Sequence, residues 1–129
     1  MCVIDFDEYC TIWNETERTA RKQHKCSSCG GRIQPGEKYV DHFDVFEGEA
    51  NHEKCCMACD VDRKEFGKAH EVSLGPGGWR EYLDECIAED SEYDSDTDEY
   101  RPGEDAKRWI AMRERLKERR QRAKESQAC

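Results

Sequence analysis

From Lys38 to Phe46 the chain is rich in β-branched and aromatic residues, and this run predicts a strand. Gln34-Pro35-Gly36-Glu37 comes just before it, with proline and glycine at the second and third places of a type II turn. Glu47-Gly48-Glu49 would turn the chain back through Ala50 to Lys54, closing a hairpin. Met57 to Phe66 has no breaker and mixes good helix formers, so a helix is expected there, with Gly67 as its stop. After the breaker Gly75-Pro76-Gly77-Gly78, the residues Trp79, Tyr82, Leu83, Cys86 and Ile87 form one apolar stripe at helical spacing, suited to packing on the preceding module. From Glu104 onward a second amphipathic helix carries a narrow seam of Trp109, Met112, Leu116 and Ala123. A helix with so thin a seam needs a partner, because isolated helices are marginal in water.

Composition limits what this pattern can build. Only 17 of the 129 residues are Leu, Ile, Val or Phe and 40% are charged, too little apolar surface to offset the entropy of ordering the chain. An ordered part must therefore be stapled by something besides a core, and nine cysteines are the candidate. No run is apolar enough to span a membrane, and the start, Met1 to Asp7, has no basic, apolar leader. A cytoplasmic protein with reduced thiols is expected, in which paired Cys-x-x-Cys motifs hold metal.

Charge divides the chain further. Asp84 to Glu99 holds nine acids and no base, whereas Glu104 to Glu125 holds nine bases against five acids. The expected organisation is a cysteine-rich module at 1–72, a breaker and amphipathic helix at 73–90, an acidic mobile connector at 91–103 and a basic helix at 104–129. The fold class is small α+β: a zinc-stapled hairpin plus helix, with appended helices.

The chemistry lies in Cys26-x2-Cys29 and Cys56-x2-Cys59, two short turns that each present two thiolates and that a hairpin can bring together. Tetrahedral sulfur ligation selects Zn2+, with iron the rival for the same set. Zinc contributes roughly 10–16 kcal/mol to small modules at neutral pH, so folding should require it. Gly30 follows the first pair and permits the positive φ that turns backbone N–H groups toward sulfur. Lys25, Arg32 and Lys54 are placed to moderate the surplus negative charge. A second ligand pair from His52 and Cys55 is equally allowed by spacing, in place of Cys56 and Cys59. Cys2 and Cys10 read as packing or free thiols, Cys86 as core, Cys129 as exposed, and neither His42 nor His70 as a ligand or base.

The stretch Ala20 to Gly30, Ile33-x-Pro35-Gly36-Glu37-x-Tyr39 and Cys56-x2-Cys59 resembles small zinc-finger proteins encoded in tailed-bacteriophage genomes, over residues 2–66. The resemblance implies a treble-clef-like or ribbon-like zinc fold and is silent on residues 79–129. This chain departs from that pattern in its extra His52 and Cys55 and in lacking an early glycine at the strand tip.

Four cysteine ligands close a zinc shell, and no His-x-Glu, P-loop, Gly-x-Ser-x-Gly or His-Glu-x-x-His motif accompanies them, so no enzymatic activity is expected. The first functional expectation is a protein-interaction module, which the resemblance implies is phage-encoded and acts on a host protein, with Asp84 to Glu99 steering association or imitating DNA charge. The alternative is a nucleic-acid binder using Arg18, Arg21, Lys22 and Lys25 with Arg113, Arg115, Lys117, Arg119, Arg120, Arg122 and Lys124. Net charge of −9 weighs against that alternative. Like charges at i, i+4 in the basic helix, Arg115 with Arg119 among them, favour an outside partner over self-pairing.

Overall fold

The computed structural model describes residues 12–46 and 48–127. In chain order these form β1 (Ile12–Thr19), β2 (His24–Lys25), β3 (Arg32–Ile33), β4 (Lys38–Phe46), β5 (Glu49–Cys56), α1 (Met57–Ala69), α2 (Trp79–Glu89), β6 (Ser91–Asp94), β7 (Glu99–Pro102) and α3 (Glu104–Gln127). The architecture is the expected small α+β arrangement of hairpin, helix and appended helices.

β4 runs where its composition places it, and β5 folds back on it antiparallel from Phe46↔Glu49 to Tyr39↔Cys56, a register that delivers Cys56 to the base of the hairpin. The turn before β4 is built as its residues dictate: Glu37 N–H donates to the Gln34 carbonyl at 3.0 Å, and Gly36 takes φ +91°. β1 was not foreseen. It pairs antiparallel with β4, giving a sheet of order β1-β4-β5, yet its side chains are mostly exposed, so no clear burial alternation marks it in the sequence.

α1 extends past its expected stop at Gly67 to Ala69. A methyl on Gly67 would lie 2.6 Å from the Val72 carbonyl oxygen, so glycine here admits the returning chain rather than ending the helix. The apolar stripe of α2 is buried at Trp79, Leu83, Cys86 and Ile87, and the α3 seam is buried at Trp109, Met112, Leu116 and Ala123. The two helices pack against each other, and Trp109 also meets Phe66 of α1 edge to face at 5.0 Å, which supplies α3 with the partner it needs. Cys86 is fully buried, as the stripe requires. Cys2, Cys10 and Cys129 lie outside the described residues.

The acidic segment expected as a mobile connector carries structure: β6 and β7 pair as a hairpin, with Tyr93 against Tyr100 at 5.3 Å and Arg101 bonded to Asp94 at 2.7 Å. One cross-strand aromatic pair and one ion pair relieve the local acid repulsion that composition alone advertises. Asp90 then ties the hairpin to α3, its carboxylate accepting from Ala106 N–H at 2.7 Å, the role of a helix cap.

Candidate metal centre

Cys26 and Cys29 sit on the turn between β2 and β3, where Gly30 adopts φ +73° and returns its N–H to the Cys26 carbonyl at 2.9 Å. The turn aims backbone at sulfur: Gly31 N–H donates to Cys29 Sγ at 3.4 Å and Cys56 N–H to Cys26 Sγ at 3.3 Å. It is held onto the hairpin by Ser27 N–H to the Lys54 carbonyl at 2.8 Å. Cys56 caps α1 and Cys59 lies in its first turn, so two of the four sulfurs stand at a helix N-terminus, whose partial positive charge favours thiolate.

These elements bring Cys26, Cys29, Cys56 and Cys59 together, with all four sulfurs within 4.8 Å of one another and Cys29 Sγ 4.0 Å from Cys56 Sγ. A tetrahedral zinc with bonds of about 2.3 Å spaces its sulfurs by about 3.8 Å, so the group can hold a metal ion of this kind with small adjustments. Three of the four cysteines are buried and Cys56 is half-buried. The rival pair is not in the cluster. His52 points from the exposed outer face of β5 and bonds Asp41, while adjacent Cys55, fully buried on the opposite strand face, lies 3.7 Å from Ser28 Oγ. Alternation along a strand explains why only one of two neighbouring cysteines joins the group.

Crowding splits the acidities of the thiols. Hydrogen bonds from Cys29 and its neighbours carry Cys26 far below the ordinary thiol range, while the Cys26 thiolate pushes Cys55, Cys56 and Cys59 above it. Cys29, raised by Cys26 and lowered by Cys56 and Cys59, lies at about 7. Four sulfurs so placed can all ionise only when a cation compensates them, which is the electrostatic signature of a metal-ligand set.

A compensating cation comes from an unforeseen direction. Arg119 of α3 bonds Asp62 at 2.6 Å; burial alone would lower its pKa, but Asp62 and the nearby Cys59 hold it above the ordinary guanidinium value. Arg115 bonds the other oxygen of Asp62 at 3.1 Å. The i, i+4 pair that suggested an outside partner is therefore satisfied within the molecule, by an aspartate that α1 presents beside the cysteines. Sequence distance hid this, since Asp62 and Arg119 are 57 positions apart.

A second polar centre was also missed. His42 is fully buried and shared by Glu15 at 3.1 Å and Asp44 at 2.7 Å, while Arg63, 3% exposed at its side chain, reaches Glu15 at 2.8 Å, Asp60 and the Leu74 carbonyl at 2.7 Å. Burial would depress the histidine, but its two carboxylate partners raise its pKa above 6.5; burial would raise Glu15, but His42 and Arg63 bring it down to about 2. These groups join β1, β4, α1 and the loop before α2, and a cavity of about 330 Å³ opens beside Glu15 and Arg63. The only trace in the sequence is the i, i+3 spacing of Asp60 and Arg63. His70 is also packed rather than free, its ring between Phe66 and Trp109 and its Nδ1 2.9 Å from the Phe66 carbonyl.

No helix among the described residues is long and apolar enough to cross a membrane. No family model matches the chain, and no curated protein or solved structure is similar to it.

Proposed function

We propose that this chain is a non-enzymatic zinc protein in which Cys26, Cys29, Cys56 and Cys59 hold a structural Zn2+, and that its function is to bind another macromolecule. The observation that carries this reading is the closed set of four sulfurs within 4.8 Å, contributed by a turn and a helix start that are 27 residues or more apart in sequence. Four protein ligands leave no coordination position for water or substrate, as a catalytic zinc would need. The ion fastens the β2–β3 turn to the start of α1, and through Arg119 it also steadies the docking of α3.

A protein partner, the first expectation from composition, would find apolar surface at Ile12 and Phe43, which share the outer face of the sheet and are 48% and 36% exposed. A nucleic-acid partner is favoured by a more specific observation, the sorting of the basic residues developed below. The zinc reading is tested by elemental analysis of protein purified under reducing conditions and by circular dichroism during chelation. One equivalent of zinc and loss of structure on its removal are expected. Loss of metal in Cys56→Ser but not in Cys55→Ser supports the ligand set, and the reverse result, or a chain that stays folded without metal, refutes it.

A further inference from the structure

The bases of α3 fall into two groups. Arg108, Arg113, Arg115 and Arg119 are engaged by Glu65, Asp84 and Asp62, and Lys107 and Arg122 by Glu104 and Glu118 of the same helix. Lys117, Arg120 and Lys124 make no ion pair among the described residues, and neither do Arg80 of α2 and Lys25 beside the first cysteine. Those five unpaired cations line one groove. A cavity of about 630 Å³ runs between the Cys26–Gly30 turn and the last turns of α3, with Lys25, Arg80, Arg120 and Lys124 on its walls. A second cavity of about 390 Å³ shares Arg80, Arg120 and Lys124 with it and continues past Lys117.

Folding brings these charges together against their mutual repulsion, offset at one end only, where Cys26 and Cys29 line the groove beside Lys25 and a four-thiolate zinc site would carry a net charge of −2. Two acids border the groove, and both are engaged: Glu53 accepts from Gly77 N–H at 2.9 Å and Asp84 from Arg113 at 3.2 Å. Arg80 Nε is buried with no acceptor, a donor whose desolvation is uncompensated within the chain. Lys117, Arg120 and Lys124 follow one another along one side of α3 with about 10 Å of rise from first to last, longer than a single phosphate. No aromatic side chain lines either cavity, so the groove offers charge without a stacking platform.

We propose that this groove binds the phosphate backbone of a nucleic acid without reading its sequence, through Lys25, Arg80, Lys117, Arg120 and Lys124. The proposal rests on the nucleic-acid reading above and gives it a surface. It also answers the objection from net charge: the groove is a local excess of cations, five against Glu53 and Asp84, that a net charge of −9 conceals. Five contacts predict a slope of log affinity against log salt of about −3.5 for single strands to about −4.5 for duplex.

The test is fluorescence anisotropy of labelled 20-nucleotide DNA and RNA with the zinc-loaded full chain, titrated with salt, alongside zinc content and circular dichroism for each protein. Binding that is indifferent to sequence, shows the stated slope, and weakens at least tenfold in Arg120→Glu/Lys124→Glu but not in the charge-matched Arg101→Glu/Lys107→Glu, supports the groove. Equal weakening by both pairs overturns it, as does complete competition by millimolar inorganic phosphate, which would indicate a single-anion site. A zinc-loaded, folded chain that ignores nucleic acid at low salt overturns the groove while leaving the structural zinc intact. Self-association abolished by Arg120→Glu/Lys124→Glu, without nucleic-acid binding, assigns the groove to the acidic segment of a second copy instead.

Discussion

Replacing Arg63 with methionine removes the one cation that ties β1, α1 and the loop before α2 together. In the native chain its guanidinium meets Glu15 at 2.8 Å, Asp60, and the Leu74 carbonyl at 2.7 Å, with the side chain 3% exposed. Methionine preserves much of the packed volume, so the loss is chiefly electrostatic. Breaking a buried pair by removing one partner costs about 3–5 kcal/mol, because the other charge stays behind desolvated. Here the lower end applies: Asp60 keeps Lys64 at 2.9 Å, Glu15 keeps His42, and Glu15 is 18% exposed, so water relieves part of the deficit. The expected cost is about 3 kcal/mol, a large share of the ~5–15 kcal/mol by which domains are stable. Urea unfolding followed by tryptophan fluorescence at pH 7 with saturating zinc measures it. Glu15→Gln in the Arg63→Met background should then cost far less than in the native chain, since the carboxylate it removes no longer has its strongest partner. A cost below about 1 kcal/mol for Arg63→Met, or strictly additive effects of the two changes, would refute this account of the network.

Three further outcomes follow from the same packing. Ser28→Ala should destabilise by about 1–3 kcal/mol in urea, because its hydroxyl donates to the Pro76 carbonyl at 2.6 Å and accepts from Trp79 Nε1 at 3.0 Å, leaving both groups buried and unsatisfied. Gly67→Ala should lower the thermal midpoint by an amount equivalent to about 1–3 kcal/mol, since the added methyl meets backbone at Val72 rather than a yielding side chain. His42 has its pKa raised above 6.5 by Glu15 and Asp44, so its stabilising contribution is complete below pH 6.5 and is lost as pH rises through the folded value. Urea midpoints should fall between pH 6 and pH 8.5 in the native chain and change less in His42→Gln, with an identical fall in both counting against the assignment.

Much of the module was legible because its signals are local. The Pro35-Gly36 turn, the β4 run, the glycine after Cys29 and the helical spacing of Trp79, Leu83 and Ile87 each constrain residues that are neighbours in sequence, and the structure builds each of them. Gly67 misled because its glycine answers a distant need, the approach of Val72, rather than a local one. The same holds for the acidic segment, whose repulsion reads plainly while the Tyr93–Tyr100 and Arg101–Asp94 contacts that offset it depend on strand register.

By itself the sequence singled out two Cys-x-x-Cys turns as the candidate metal ligands, since spacing within a turn fixes which thiols can face one ion. It left His52 and Cys55 open; in the structure Cys55 lies on the strand face opposite Cys56, and His52 is exposed and bonded to Asp41, outside the group of four sulfurs. Only the tertiary structure decided which charges neutralise one another. Coulombic pairing depends on distance in space, so Arg119 beside Cys59, Arg63 between Glu15 and Asp60, and five cations with no partner along one groove emerge only when elements far apart in the chain are packed together.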